Sequence, residues 1–348
     1  MTLQDIIETY RERFFARHGH EVTVEQRSAL NAMSGCRQGQ YGELMLSCQD
    51  CPHFDRKPIS CGHRACNQCQ QNSTEDWLDR QRQKQLPVDY YLVTFTLPFE
   101  LRALAKAHPK IVYDRLIQCA VSTLRSFGLN KKDFHAELGL CAVLHTHTRR
   151  LDYHPHVHVA IPGGGVHRER REWRKVKGDY LFNGTALAAA FRGAFLNALS
   201  QAGLNPGVTP KKWVAHCDKV GRGEQALQYL SRYLYRGVIS NKNLLEDDGQ
   251  TVTFRYRDSK TKTWKTRCLA GEDFLALILQ HVLPKGFRRT RDYGFLHGNA
   301  KKLLRIIQWV LRVNIPGKAV RRKARFCCSC CQGRMIVVGV CPPRPKPG

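Results

Sequence analysis

The stretch YHPHVHVAIPGGG, Tyr153 to Gly165, places His154, His156 and His158 at alternate positions. Side chains alternate between faces along an extended strand, so the three imidazoles point the same way. Neutral imidazole suits a borderline or transition metal, and open coordination positions on such an ion accept a phosphate oxygen. On that reading His156 and His158, which flank Val157, hold a divalent cation. Alternating histidine and hydrophobic residues also mark histidine-triad nucleotide hydrolases, and a plain exposed strand edge is the third reading. Further along, EQALQYLSRYLYRG carries Tyr229 and Tyr233 at i and i+4, one turn apart on one face of a helix. A tyrosine phenolate can attack a DNA phosphate and keep the strand as a 5′-phosphotyrosine while a metal polarises the phosphate. Two such tyrosines permit two successive cleavages without release of the first strand. A histidine-triad hydrolase needs no tyrosine pair, so the combination favours DNA cleavage.

The elements that must position these groups follow from periodicity. LGLCAVLHTH and YHPHVHVAIP read as strands joined by the short polar TRRLD, which makes a hairpin. DYYLVTFTLP, at 89–98, reads as a buried strand stopped by proline, and KWVAHCDKV as a further strand. Helical spacing marks IVYDRLIQCAVSTLRSF, NGTALAAAFRGAFLNALSQAG and EDFLALILQHVL. Thr23 and Gln26 have the spacing of a capping box that opens the helix TVEQRSALNAM.

Fifteen cysteines in a chain that reads as intracellular argue for metal rather than disulfides. Residues 36–69 contain Cys36, the pair Cys48-x-x-Cys51, Cys61 and the pair Cys66-x-x-Cys69, with His53 and His63 between. Paired C-x-x-C motifs across a short span are the mark of tetrahedral zinc. Cys48, Cys51, Cys66 and Cys69 are the expected ligands, with Cys36, Cys61 and the two histidines as a second set or spectators. A small polar segment has little core, so the metal contributes much of its folding energy. FCCSCCQGRM, at 326–335, adds Cys328-x-x-Cys331, half of a zinc ribbon with no obvious partner pair.

Fifty-six Lys and Arg against 29 Asp and Glu give a net charge of +27. A field of that size calls for a polyanion, and nucleic acid is the usual one. MTLQDIIETYRERFFARHG reads as an amphipathic helix rather than a signal peptide. No apolar run approaches the ~18 residues of a membrane span. A cytoplasmic, nucleoid-associated bacterial protein with no membrane partner is expected.

Several long stretches resemble one known family, the rolling-circle insertion-sequence transposases of the two-tyrosine HUH class, insertion sequence family ninety-one. They are SCGHRACNQCQ, YYLVTFTLP, LHTHTRRLDYHPHVHVAIPGGG, WVAHCDKVGRGEQALQYLSRYLYRGVISN and HVLPKGFRRTRDYGFL, and they run over most of the chain. The resemblance implies an α/β (α+β) fold: a central antiparallel HUH-endonuclease sheet with flanking helices, preceded by a small zinc-binding domain. It implies nicking and transfer of single-stranded DNA at transposon ends, with Mg2+ or Mn2+ at the HUH site and structural Zn2+ elsewhere. His156 and His158 become metal ligands, and Tyr229 and Tyr233 nucleophiles. His154, which shares the strand face, is expected as third ligand ahead of His145 on the neighbouring strand and Gln228 beside Tyr229. The expected division is 1–86 for zinc-dependent DNA recognition, 87–290 for the nuclease, and 291–348 for a basic helical region with a cysteine-rich tail. A plasmid replication initiator or relaxase would share this chemistry. A non-catalytic zinc-dependent DNA-binding regulator would tolerate loss of both tyrosines.

Overall fold

The computed structural model describes residues 1–130, 134–177, 181–225, 228, 238–258, 261–314 and 326–343. Helix α1 (Leu3–His18) opens with Thr2 and Asp5 in a capping box, and α2 (Val24–Ser34) with Thr23 and Gln26 in the one that the sequence spacing predicts. The strands β1 (Glu43–Cys48) and β2 (Phe54–Pro58) precede α3 (Gln70–Arg82). Next come β3 (Asp89–Thr96), α4 (Arg102–Ala107), α5 (Pro109–Asn130), β4 (Glu137–Leu138), β5 (Leu140–His147) and β6 (Tyr153–Pro162). A small meander, β7 (Gly164–His167) and β8 (Glu172–Lys175), leads to α6 (Gly184–Gln201) and β9 (Ala215–Arg222). The chain then forms β10 (Leu244–Asp247), β11 (Thr251–Arg257), β12 (Trp264–Ala270), α7 (Gly271–Leu279), β13 (Thr290–Tyr293) and α8 (Lys301–Val310). Strands β14 (Phe326–Cys327) and β15 (Arg334–Cys341) follow.

The central sheet has five strands in the order β13-β5-β6-β3-β9, antiparallel at every step. Alternation divides its residues cleanly. Tyr91, Val93 and Phe95 of β3, Ala142 and Leu144 of β5, and Val157, Val159 and Ile161 of β6 enter one core. There they meet α5 through Leu116, Ile117 and Ala120 and α6 through Leu187, Phe191 and Phe195. The opposite face carries Leu92, Cys141, Val143 and Ala160, which pack on Trp77 of α3. His156 and His158 share that second face with Ala160, because all three occupy even positions of one strand. Each buried Val, Leu or Phe contributes about 1.5–3 kcal/mol. A one-residue slip of β6 would drive histidines into the first core and valines out of it, so the packing fixes the register that aims the histidines.

A second core joins distant parts of the chain. Leu3, Ile6, Ile7, Tyr10 and Phe14 make an apolar stripe on α1 that meets Leu30 and Met33 of α2. The stripe also meets Phe254 of β11 and Phe274, Leu275 and Ile278 of α7. Likewise β1 lies between β2 and β15 in a four-stranded sheet ordered β14-β15-β1-β2. Packing thus crosses both boundaries expected at 86/87 and 290/291. The stripe on α1 is covered from two sides, by α2 and by β11 with α7, and the C-terminal strand β15 completes the sheet of β1 and β2. Among the described residues no helix is long and apolar enough to cross a membrane.

Candidate metal centre

Antiparallel pairing places His145 of β5 directly opposite His156 of β6, and Val143 opposite His158. The ring centroids of His145 lie 5.3 Å from His156 and 4.8 Å from His158, and those of His156 and His158 are 4.8 Å apart. One nitrogen from each of the three lies within 4.8 Å of the other two. Burial holds His158 near the neutral form, with a pKa lowered to about 4, and the Arg289 charge acts in the same direction. Burial, then the neighbouring His158, pushes His145 and His156 well below the ordinary histidine value. All three are therefore neutral bases at neutral pH.

Their tautomers are set by partners behind the cluster. His156 Nδ1 donates to the carbonyl of His154 at 2.6 Å, and His158 Nδ1 hydrogen-bonds Thr94 Oγ1 at 2.8 Å. With Nδ1 engaged on both rings, Nε2 is the nitrogen each would offer to an ion. His145 Nε2 is buried with no hydrogen-bond partner. Such an orphan costs about 1–3 kcal/mol when nothing occupies it, and a cation bound by the cluster removes that cost. The donor set fits a divalent ion held by three imidazoles, with further positions left for substrate oxygens.

His154 does not join them, which corrects the third-ligand expectation. Its Nδ1 instead accepts from Arg102 Nη2 at 2.6 Å. Strand geometry explains the exchange. Residues i and i+4 on a strand stand about 13 Å apart at ~3.3 Å rise per residue, too far for one ion. A cross-strand neighbour on the same face lies at about 4.5–5.5 Å. His145 therefore completes the group, and the histidine run LHTH together with the expected hairpin was the signal that pointed to it. Gln228 is exposed. Tyr229, Tyr233 and Tyr235 lie outside the described residues.

More histidines surround the cluster than the sequence motif suggested. His281, just beyond α7, donates from Nε2 to the carbonyl of Leu151 at 2.8 Å, and its Nδ1 meets Thr146 Oγ1 at 3.2 Å. Its ring stands 5.1 Å from that of His147, and burial lowers its pKa to about 4. Thr146, His147 and His281 line a cavity of about 700 Å3 that also meets the cysteine-rich segment at His63 and Arg64. Lys285, Arg288 and Arg289 stand around it, with Glu25 as the one acid among the described lining residues. Such a cation-rich concavity beside the histidine-bearing face suits a polyanionic chain.

Eight of the fifteen cysteines form two groups of four among the described residues. Cys36, Cys61, Cys66 and Cys69 converge, with Cys69 Sγ 3.6 Å from both Cys36 Sγ and Cys61 Sγ. Cys48 and Cys51 do not reach Cys66 and Cys69 but meet Cys328 and Cys331. The ranking of ligands by sequence thus changes: Cys36 and Cys61 rank with Cys66 and Cys69 rather than behind them. A Zn–S bond of about 2.3 Å in a tetrahedron puts sulfurs about 3.8 Å apart, and the observed spacing approaches that value. His63 lies outside this group, its Nδ1 accepting from the Ala65 amide at 3.1 Å.

An antiparallel sheet that presents histidines beside a basic cavity, joined to four-cysteine clusters, is the build of a DNA-cleaving enzyme with a zinc-binding unit. Comparison with known proteins agrees. Residues 139–303 match a family model described as "Putative transposase", and residues 4–97 match the "Transposase zinc-binding domain" of the IS91 type. The protein y4qJ of Sinorhizobium fredii, which bears the same description as the first model, is 30% identical across 97% of this chain and 94% of its own length. The transposase for insertion sequence element IS801 of Pseudomonas savastanoi pv. phaseolicola is 27% identical across 91% of this chain and 83% of its own. Among solved structures, TrwC complexed with a 27-mer DNA shares 13% identity at a TM-score of 0.27, over 65% of this chain and 75% of that one. The architecture above rests on this chain's own strand pairing. The chain belongs to the IS91 family of transposases.

Proposed function

We propose that this transposase nicks and rejoins single-stranded DNA at transposon ends in rolling-circle transposition, through 5′-phosphotyrosine intermediates on Tyr229 and Tyr233. The observation that carries the reading is the convergence of three neutral imidazoles, His145, His156 and His158, on one face of a rigid sheet. A divalent cation held there, Mg2+ or Mn2+, supplies Lewis-acid polarisation of a phosphate oxygen. Thr94 and the His154 carbonyl keep the His158 and His156 rings oriented without rearrangement. Lys285, Arg288 and Arg289 provide cationic groups for the phosphates of a strand led toward the sheet. The part given to the tyrosines rests on their spacing in the sequence. One phenolate oxygen bonds to phosphorus as the bond to the 3′ oxygen breaks, and the departing strand keeps a free 3′-hydroxyl. That hydroxyl primes replication or attacks the second phosphotyrosine, which restores a phosphodiester and frees the tyrosine.

The test is incubation of the full chain with labelled single-stranded DNA from the flanks of its own gene, with Mg2+ or Mn2+. A covalent protein–DNA band on a denaturing gel is the expected result. DNA binding with no adduct at either metal would overturn the reading in favour of a regulator. Adducts formed equally well on unrelated plasmid origins would favour a replication initiator or relaxase.

A further inference from the structure

We propose that Cys48, Cys51, Cys328 and Cys331 bind a second structural zinc ion, which staples residues 328–331 to the N-terminal zinc sheet. The matched zinc-binding domain ends at residue 97 and contains only half of this site. The other half comes from far along the chain: Cys48 and Cys331 are 283 positions apart, Cys51 and Cys328 277. Their sulfurs nevertheless pair at 3.5 and 3.6 Å. Those distances are far beyond a disulfide bond of about 2.05 Å and close to the sulfur spacing around tetrahedral zinc.

The two halves are built alike. Cys48 N–H donates to the carbonyl of His53 at 2.9 Å, and Cys328 N–H to that of Gly333 at 2.9 Å, each closing a loop of the same length. In each loop the amide two residues after the first cysteine donates to its sulfur at 3.4 Å: Asp50 to Cys48 and Cys330 to Cys328. Both loops thus aim a backbone amide at the sulfur of their first cysteine. Strand pairing explains why they meet. β1 runs into the first loop and β15 leaves the second, and their antiparallel register sets Cys48 against Met335. Both loops therefore hang from the same end of one ladder.

Beyond the strand ladder, the apolar packing between the loops is small. The hydrophobic contacts beneath are Leu46, Cys48, Cys328 and Met335, with Cys51 and Phe326 at their margin. A core so small leaves the folding energy to the metal. Four thiolates in one group also select zinc over magnesium or calcium. A competing set, His53 with Cys328 and Cys330, offers one ligand fewer.

Zinc per chain of the full-length protein, read by native mass spectrometry, tests the assignment. Cys328→Ser/Cys331→Ser and Cys48→Ser/Cys51→Ser should each lose one equivalent relative to the parent. Combining all four substitutions should lose no more than that one, because both pairs hold a single ion. Cys327→Ser/Cys330→Ser should keep the full count. A second equivalent lost in the combined variant would assign the pairs to separate ions and overturn the site. Loss of zinc on replacing Cys327 and Cys330, or a parent holding no more zinc than the combined variant, would overturn it equally. Cobalt substitution guards against a trivial loss by misfolding. The parent's thiolate-to-metal absorption should fall by about half in either double variant and keep its band shape, which reports the intact Cys36–Cys61–Cys66–Cys69 group. An undiminished band would sink the proposal.

Discussion

His145 of β5 and His156 of β6 face each other across one antiparallel ladder, their ring centroids 5.3 Å apart. That pairing, rather than alternation along one strand, decides which imidazoles can share an ion. His145→Ala should therefore abolish metal-dependent nicking as completely as His156→Ala or His158→Ala. His154→Ala should leave Mn2+ affinity, measured by titration calorimetry, close to that of the parent. A His154 variant that loses Mn2+ while His145→Ala retains it would refute the ligand set.

Thr94 lies behind the cluster and touches it through His158 Nδ1. Thr94→Val keeps the shape of the side chain and removes the hydroxyl. Metal affinity should fall about 10–100-fold, the usual range for a lost orienting partner, while DNA affinity at zero added metal stays level. An unchanged Mn2+ isotherm would show that the hydroxyl does not orient the ring.

The two tyrosines make separable predictions. A phenol with pKa near 10 is a weak nucleophile at neutral pH, and phenylalanine removes only its oxygen. Tyr229→Phe and Tyr233→Phe should each bind DNA and retain some nicking but lose completed strand transfer. The double variant should form no covalent adduct on a denaturing gel. An adduct that persists there would move the nucleophile elsewhere, with Tyr235 the first to replace.

Cys36, Cys61, Cys66 and Cys69 surround one point next to the second core. Cys36→Ser should be as damaging as Cys66→Ser. Either should speed amide exchange across the segment around the cluster and weaken DNA binding, because the energy of metal binding there is folding energy. Elemental analysis that finds no zinc in freshly purified protein would count against this.

Gly271 begins α7 against α1, and a Cβ placed there would sit 2.0 Å from the buried ring of Tyr10. Gly271→Ala should destabilise the protein by about 1–3 kcal/mol, the cost of overpacking a core that cannot yield. Gly193, inside α6, meets nothing within 4 Å, so Gly193→Ala should be neutral or stabilising by up to about 1 kcal/mol. Melting curves of the two variants should shift in opposite directions or differ by several degrees.

The contrast between His154 and His145 shows what periodicity reveals and what it leaves hidden. Alternation reported which face of β6 carries histidines, and the hairpin β5–β6 was legible from two apolar runs around TRRLD. The distance between side chains on neighbouring strands depends on register, which a bulge between His145 and His147 shifts. No local pattern records that bulge. The cysteines tell the same story at longer range. Each C-x-x-C announces half a metal site, but whether Cys48 and Cys51 meet Cys66 and Cys69 or Cys328 and Cys331 depends on strand β15 pairing with β1. His281 escaped notice because one histidine at the end of an apolar helix has no spacing partner. Its neighbours, Thr146 and Leu151, come from the far side of the hairpin.

The pairing of β1 with β15 also sets a timetable. All five strands of the central sheet precede β15 in the chain, whereas β1 leaves the ribosome before any of them and lacks one neighbour until β15 emerges. At about 5–20 residues per second, the 283 positions between Cys48 and Cys331 represent roughly 15–60 s of translation. During that interval the histidine-bearing sheet can assemble while the zinc sheet remains open on one side. A chain that stalls after β13 would hold every strand of the central sheet with the β1 sheet still incomplete, so that smaller sheet closes only after the histidine-bearing one has been synthesised.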